Sequence, residues 1–253
     1  MTTAQEPYLK AAGSDRLAPY YDLMARFGMR ESRIKGRVIE LAQLAPGSRI
    51  LDVGCGTGTL VLMAQRRHPG ATVTGVDGDP TILSIARRKA RRAGIKAQLD
   101  EGMAYALPYA DASFDAVVST LTFHHLTPDQ QERALNEIRR VLRPGGRLVI
   151  ADLARPHNRL MRLVERVVTA LMRRHGGHAL PGHGHDAGSG DHRPAPLAHL
   201  EGRVCARAAV GGRPSHTALE QLLAAQGWRR GAAVERYMSM MGTVALYALA
   251  RPD

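Results

Sequence analysis

The chain has 253 residues, 44% of them hydrophobic, and carries 35 Lys+Arg against 23 Asp+Glu for a formal net charge of +12. A chain of that length and apolar content buries a real core, which excludes disorder throughout, and its two cysteines exclude a disulfide framework or a four-cysteine zinc site. The excess charge is almost all arginine, since the lysines are Lys10, Lys35, Lys89 and Lys96 alone; that skew suggests GC-rich coding as much as a phosphate-binding design.

The first residues contain no apolar leader, and no uncharged run approaches the roughly 18 residues that span a bilayer. The expectation is a soluble, cytoplasmic protein in a reducing compartment. A mostly helical arm at Tyr20 to Leu44 closes at the turn Pro46-Gly47. From Arg49 to Asp152 short β-rich runs alternate with longer helical ones, the pattern of βαβ units feeding a parallel sheet. Strands are predicted at Arg49–Val53, Thr72–Asp77, Phe114–Ser119 and Arg147–Ala151. Helices are predicted at Thr81–Ala93, stopped by Gly94, and at Asp129–Leu142, stopped by Arg143-Pro144-Gly145-Gly146. Asn158 to Arg174 reads as a basic amphipathic helix, covering the core or lying on a membrane surface.

His175 to His216 is rich in Gly, His, Ala and Pro and lacks aliphatic periodicity, so it cannot make much core. Three readings stay open for it: an insertion over a pocket of the core, a metal-binding tract around His183, His185 and Asp186, or an out-of-frame segment. No defined metal geometry matches its spacing. Regular structure resumes with a helix at Thr217–Gln226, followed by β-like runs at Ala232–Met238 and Thr243–Ala250 that pair antiparallel at the sheet's edge. The chain thus divides into a helical arm or cap (1–45), a core (46–155), the basic helix and insertion (156–216) and a C-terminal helix with a β-pair completing the core (217–253).

The chemistry concentrates at Arg49-Ile-Leu-Asp52-Val-Gly54-Cys55-Gly56-Thr57-Gly58-Thr59-Leu60, a strand, a glycine-rich turn and a helix start. Alternate glycines let the backbone turn tightly and approach a ligand, and the helix N-terminus offers unpaired N–H groups. A dinucleotide fingerprint G-x-G-x-x-G would need glycine at position 59 or 61, where Thr59 and Val61 stand. That disfavours a nicotinamide oxidoreductase. A basic nucleic-acid-binding protein is suggested by charge alone.

This stretch resembles motif I of the class I S-adenosylmethionine (SAM) dependent methyltransferases, particularly the group of quinone, lipid and small-molecule enzymes. Further segments match in the same order. Val73-Thr-Gly-Val-Asp77-Gly78-Asp-Pro80 resembles the family's second strand, whose terminal acid binds the ribose hydroxyls. Glu101-Gly102-Met103-Ala104-Tyr-Ala-Leu107-Pro108-Tyr109 resembles its G-D-A-x-x-L-P-F segment, which reads the adenine edge; here Met103 replaces the usual Asp, and Asp100 and Glu101 are out of register to substitute for it. Ser113-Phe114-Asp115-Ala-Val-Val-Ser119-Thr120 resembles the fourth strand, with Phe123-His124-His125-Leu126 where this group often carries His. Glu137-Ile138-Arg139-Arg140-Val141-Leu142-Arg143-Pro144-Gly145-Gly146 resembles the helix and turn before the fifth strand, and Tyr20-Tyr21-Asp22 the N-terminal element that closes over the cofactor.

The resemblance implies an α/β fold: a Rossmann-like, doubly wound, mostly parallel seven-stranded sheet with an antiparallel last strand, in a single domain with a helical cap. It implies SAM as cofactor, contacted by Tyr20, Asp52, Gly54, Cys55, Gly56, Gly58, Asp77, Gly78, Gly102, Met103, Ala104, Ser119 and Thr120. It also implies methyl transfer to a small organic acceptor by in-line displacement, or, with the chemistry lost, a SAM-binding protein of the same fold. His125 and His124, after a central strand where open α/β sheets bind ligands, are candidates to contact or deprotonate the acceptor, or else they pack and cap the next helix. Exocyclic nucleobase amines are disfavoured as acceptors because Ser119-Thr-Leu-Thr stands where such enzymes carry an acid or Asn followed by Pro-Pro. Cytosine C5 and arsenite are disfavoured because no Pro-Cys dipeptide and no third cysteine exist. No metal and no nucleic-acid partner are expected.

Overall fold

The computed structural model describes residues 31–154, 217–228, 235–239 and 242–252. Tyr20, the basic run at 158–174 and the His-rich stretch lie outside the described residues. In chain order the described elements are α1 (Glu31–Leu41), β1 (Arg49–Val53), α2 (Thr59–Arg67), β2 (Thr72–Asp77), α3 (Pro80–Arg92), β3 (Gln98–Glu101), β4 (Phe114–Thr120), α4 (Pro128–Val141), β5 (Leu142–Ala154), α5 (Thr217–Ala225), β6 (Glu235–Ser239) and β7 (Gly242–Ala250). A short 3₁₀ turn at Phe123–His125 separates β4 from α4.

The strands form one seven-stranded sheet in the order β3-β2-β1-β4-β5-β7-β6. Neighbours from β3 to β5 are parallel, and β7 runs antiparallel to both β5 and β6. Chain order reverses at β1, with β2 on one side and β4 on the other. That switch point is where an open α/β sheet opens a crevice at the carboxyl ends of its strands.

Alternation along the strands builds two cores. Leu51, Val117, Leu148, Ile150 and Tyr247 face the layer of α4 and α5, while Ile50, Ala116, Val118, Val149 and Leu246 face the layer of α1, α2 and α3. Both faces of the central strands are therefore apolar, as a parallel sheet between two helical layers requires. Helix starts follow local chemistry. The carboxylate of Asp79 caps α3 by accepting from the N–H groups of Thr81 and Ile82, and Thr127 with Gln130 forms a reciprocal capping box on α4. Each of these helices takes Pro at its first position, one residue ahead of the predicted start.

β1 and β2 have the predicted limits and β4 extends one residue further, to Thr120. β5 departs from expectation: it begins at Leu142, directly after α4, and runs to Ala154. Leu142 pairs with Phe114 and Arg147 with Ala116, so Arg143-Pro144-Gly145-Gly146 bulges opposite Asp115 alone. The turn predicted to stop the helix is thus absorbed into the strand. Among the described residues no helix is long and apolar enough to cross a membrane.

Candidate active site

The carboxyl end of β1 carries Asp52, whose side chain is fully buried, and neither carboxylate oxygen has a hydrogen-bond partner among the described residues. Burial pushes its pKa up to about 7, against the pull of the Lys35 charge on α1. The turn that follows is anchored to β2, because the N–H groups of Gly54 and Cys55 both donate to Val76 O, at 2.8 and 3.0 Å. Gly54 sits at φ +71°, and a Cβ there would meet the Thr122 hydroxyl oxygen at 2.2 Å. No other residue fits both the backbone and the space. The Cys55 thiol turns away from the crevice and packs under Gly75 of β2, leaving its backbone to the site. Gly58 caps the N-terminus of α2 in the left-handed region.

Asp77 ends β2 with its carboxylate nearly buried. One oxygen accepts from Gly56 N–H at 2.8 Å and the other from Asp79 N–H at 3.0 Å. Burial raises its pKa, with the bonds from Asp79 and Gly56 opposing. The cap of α3 is Asp79 and not Asp77. Gly78 lies between them in the turn. Each carboxylate oxygen has a second lone pair, so Asp77 keeps acceptor capacity toward a ligand.

Beside Asp77, Gly102 N–H donates to Asp77 O at 3.1 Å, and a Cβ at Gly102 would meet Pro108 at 2.9 Å. Met103 and Ala104 follow, half-buried. Asp100 accepts from the Tyr109 hydroxyl at 3.0 Å and from Gln98 Nε2 at 2.8 Å, which occupies one of its oxygens within the loop wall.

The carboxyl end of β4 completes the crevice. The Ser119 hydroxyl is fully buried and donates to Val53 O at 2.9 Å, tying β4 to β1, while Thr120 is half-buried at the strand's end. Thr122, which the sequence reading did not single out, donates to Val53 O at 3.3 Å and packs on Gly54. Two residues on, Nδ1 of His124 lies 2.8 Å from Oδ1 of Asp152, a buried carboxylate on β5. Asp152 also accepts from Phe123 N–H and Leu153 N–H, each at 2.7 Å. Burial alone would raise its pKa, but the hydrogen bond and charge of His124 and the two N–H groups hold it below the usual range.

An ionised carboxylate is acceptor-only, so Nδ1 of His124 carries a proton, and in the neutral ring Nε2 is the acceptor. The His125 ring stacks at a tilt on that of His124, centroids 3.9 Å apart. Burial and the adjacent His124 bring its pKa down to about 4 against the pull of Asp152. A lone Asp in the apolar run Leu148-Val-Ile-Ala-Asp152 was the available signal for this partner, at the end of the strand next to β4.

The crevice therefore gathers a buried carboxylate with no hydrogen bond from the described residues, a glycine turn, a second acid one strand over and a carboxylate-oriented imidazole, at the carboxyl ends of four neighbouring strands. Comparisons with known proteins speak to the family and the fold. The sequence profile described as "Methyltransferase domain" matches residues 50–146. The chain is 44% identical over 154 residues to demethylmenaquinone methyltransferase of Thermus thermophilus, a match covering 60% of this chain and 69% of that protein. It is 35% identical over 170 residues to the ubiquinone/menaquinone biosynthesis C-methyltransferase of Syntrophotalea carbinolica, covering 66% of this chain and 68% of the relative. In architecture it is similar to a SAM-dependent methyltransferase from Aquifex aeolicus, with a TM-score of 0.57 at 16% identity over 94% of this chain and 99% of that one. With the motifs in family order, a relative this similar over this length, and the fold and crevice in place, the chain belongs to the class I SAM-dependent methyltransferases.

Proposed function

We propose that this methyltransferase acts on a quinol-like or phenolic small molecule, at an oxygen or an acidic ring carbon, with His124 as the general base and Asp152 as its positioning partner. The observation that carries the reading is the His124–Asp152 hydrogen bond beside the glycine turn. The acceptor class is supported by the names of the two quinone-pathway relatives.

The residues present fit SAM on grounds internal to the chain. Asp52 is a buried acid with no hydrogen-bond partner among the described residues, an arrangement that a cationic or donor-rich guest relieves. Asp77 offers free lone pairs to vicinal hydroxyls. Gly54, Gly56, Gly58, Gly78 and Gly102 keep the walls close to the backbone, and Met103 and Ala104 supply an apolar edge. When bound, SAM supplies an electrophilic methyl group on a sulfonium.

The chain's own contribution is orientation and proton removal. Nε2 of His124 takes the proton from the acceptor as the acceptor atom gains the methyl group, and the imidazolium formed is stabilised by Asp152. A positioned base of this kind contributes about a hundredfold to ten-thousandfold. Supplying methyl-labelled SAM with a panel of hydroquinones, hydroxynaphthoquinones and simple phenols tests the assignment. Label should pass to at least one quinol or phenol, and His124→Ala should slow the transfer by about a hundredfold or more; label moving only to amines or thiols would overturn the acceptor class.

A further inference from the structure

We infer that Glu137 and Arg140 on α4 are positioning residues for the loop at 102–109, holding its backbone in the shape that receives the cofactor while touching no cofactor atom themselves. The inference rests on the reading of that loop, above, as the apolar wall of the SAM site.

The geometry is specific. Arg140 Nη1 donates to Tyr109 O at 2.7 Å and to Asp111 at 2.8 Å, and its Nη2 donates to Leu107 O at 3.0 Å. Glu137 accepts from Arg140 Nε and Nη2, each at 2.8 Å, and also from Leu107 N–H at 2.8 Å. One ion pair thus satisfies both backbone groups of Leu107, the buried residue of the loop. Such backbone groups are costly to leave unpaired. A third contact from the same helix sets Arg133 over the Tyr105 ring, 4.8 Å from its centroid. On the sheet side the loop is pinned by Gly102 N–H on Asp77 O and by the Tyr109 hydroxyl on Asp100. Between these anchors Ala106 N–H bonds Met103 O, closing the loop's own turn.

The same helix holds the other half of the site. Near its start, Gln131 Nε2 donates to Phe123 O at 2.8 Å and Leu126 O at 3.3 Å, fixing the segment that carries His124 and His125. α4 is therefore a strut with separate fixtures at its two ends. Loosening Glu137 and Arg140 should disturb the cofactor loop and leave the histidines in place, so binding and turnover should respond differently.

The test uses the full chain with Arg140→Ala, Arg140→Lys and Glu137→Gln, reading S-adenosylhomocysteine (SAH) affinity by calorimetry, KM for SAM, kcat and Tm. Arg140→Ala should weaken SAH binding and raise KM for SAM by about tenfold, the size of losing charge-assisted hydrogen bonds to a buried backbone. Arg140→Lys and Glu137→Gln should fall between it and wild type, with kcat at saturating SAM within about twofold of wild type in all three. If Arg140→Ala does not fold, the two conservative variants decide. A fall in Tm with unchanged SAH affinity would make the pair merely structural and overturn the inference. Failure of the unaltered chain to bind SAH would instead defeat the reading of the site itself.

Discussion

His124 and Asp152 meet across the seam between β4 and β5, with Nδ1 2.8 Å from Oδ1. Neither residue makes this contact by local sequence. His124 sits in a 3₁₀ turn after β4, Asp152 lies two residues before the end of β5, and the parallel pairing of the two strands brings them together. The turn is set by the same carboxylate, because Asp152 also binds Phe123 N–H. Orientation of the imidazole and placement of its backbone thus depend on one buried side chain.

Asp52 makes the stability of the cofactor-free protein pH-dependent. Its pKa rises from 3.8 to about 7 on folding. A raised folded pKa contributes stability that is present below the unfolded value and is lost as pH rises through the folded one. Denaturation midpoints of the wild type should therefore decline between about pH 4 and 8 through this group, and Asp52→Asn should flatten the decline and be the more stable protein at the alkaline end. The same substitution should weaken SAM binding. Binding to the wild type near neutrality should release protons, visible as a calorimetric enthalpy that depends on the buffer.

The glycine turn separates backbone strain from crowding. Gly56 has φ +54° with open space where a Cβ would stand, whereas Gly54 has φ +71° and Thr122 in the way. Gly56→Ala should cost about 1 to 2 kcal/mol, the left-handed penalty alone. Gly54→Ala should cost about 3 kcal/mol or more, since the hydroxyl-bearing carbon of Thr122 must also move. Urea titrations of the two variants check the order, and equal losses would contradict it.

Met103 stands where the sequence resemblance places an acid. Met103→Asp should tighten SAH binding by about tenfold, worth roughly 1 to 1.5 kcal/mol for one added hydrogen bond to the adenine amino group. An SAH analogue with an inosine base in place of adenosine should show no such gain. Equal gains with both ligands would mean that the new carboxylate acts through its charge and not on the adenine edge.

His125 supplies a dependence of opposite sign to Asp52. Its pKa falls from 6.5 to about 4 on folding. A depressed folded value contributes stability present above the unfolded pKa and lost as pH falls through the folded one. Stability should drop from pH 6.5 toward pH 4 through this residue, and His125→Gln should reduce that slope. Imidazole NMR would show the ring still neutral at pH 5.5 or so, well above its folded pKa.

The sequence pattern reached the central sheet because parallel strands buried on both faces are short continuous apolar runs, as in Arg49–Val53 and Thr72–Asp77. It missed β3, where Gln98, Asp100 and Glu101 leave Leu99 as the only buried residue of an edge strand. It placed the start of β5 too late, since Pro144-Gly145-Gly146 signals a turn whether the strand pauses or bulges. The glycine turn and the paired histidines were legible as candidates because their residues are neighbours in the chain. Asp152, Thr122 and the hold of Arg140 on the 102–109 loop were not, because each acts on a segment at least 28 residues away. Ser119 was legible as a position at the strand end, but its hydroxyl serves the β1–β4 seam.

The most direct test of the account is Asp152→Asn, with kcat and SAH affinity measured on the same preparation. The amide has the size of the carboxylate but presents no charge to His124, and its single oxygen cannot accept from both His124 Nδ1–H and Phe123 N–H, so it no longer fixes the ring's orientation and tautomer. The account predicts that kcat falls by about a hundredfold or more while SAH affinity stays within about twofold of wild type. Turnover equal to that of the wild type, with the protein folded and SAH bound, would contradict His124 as the base.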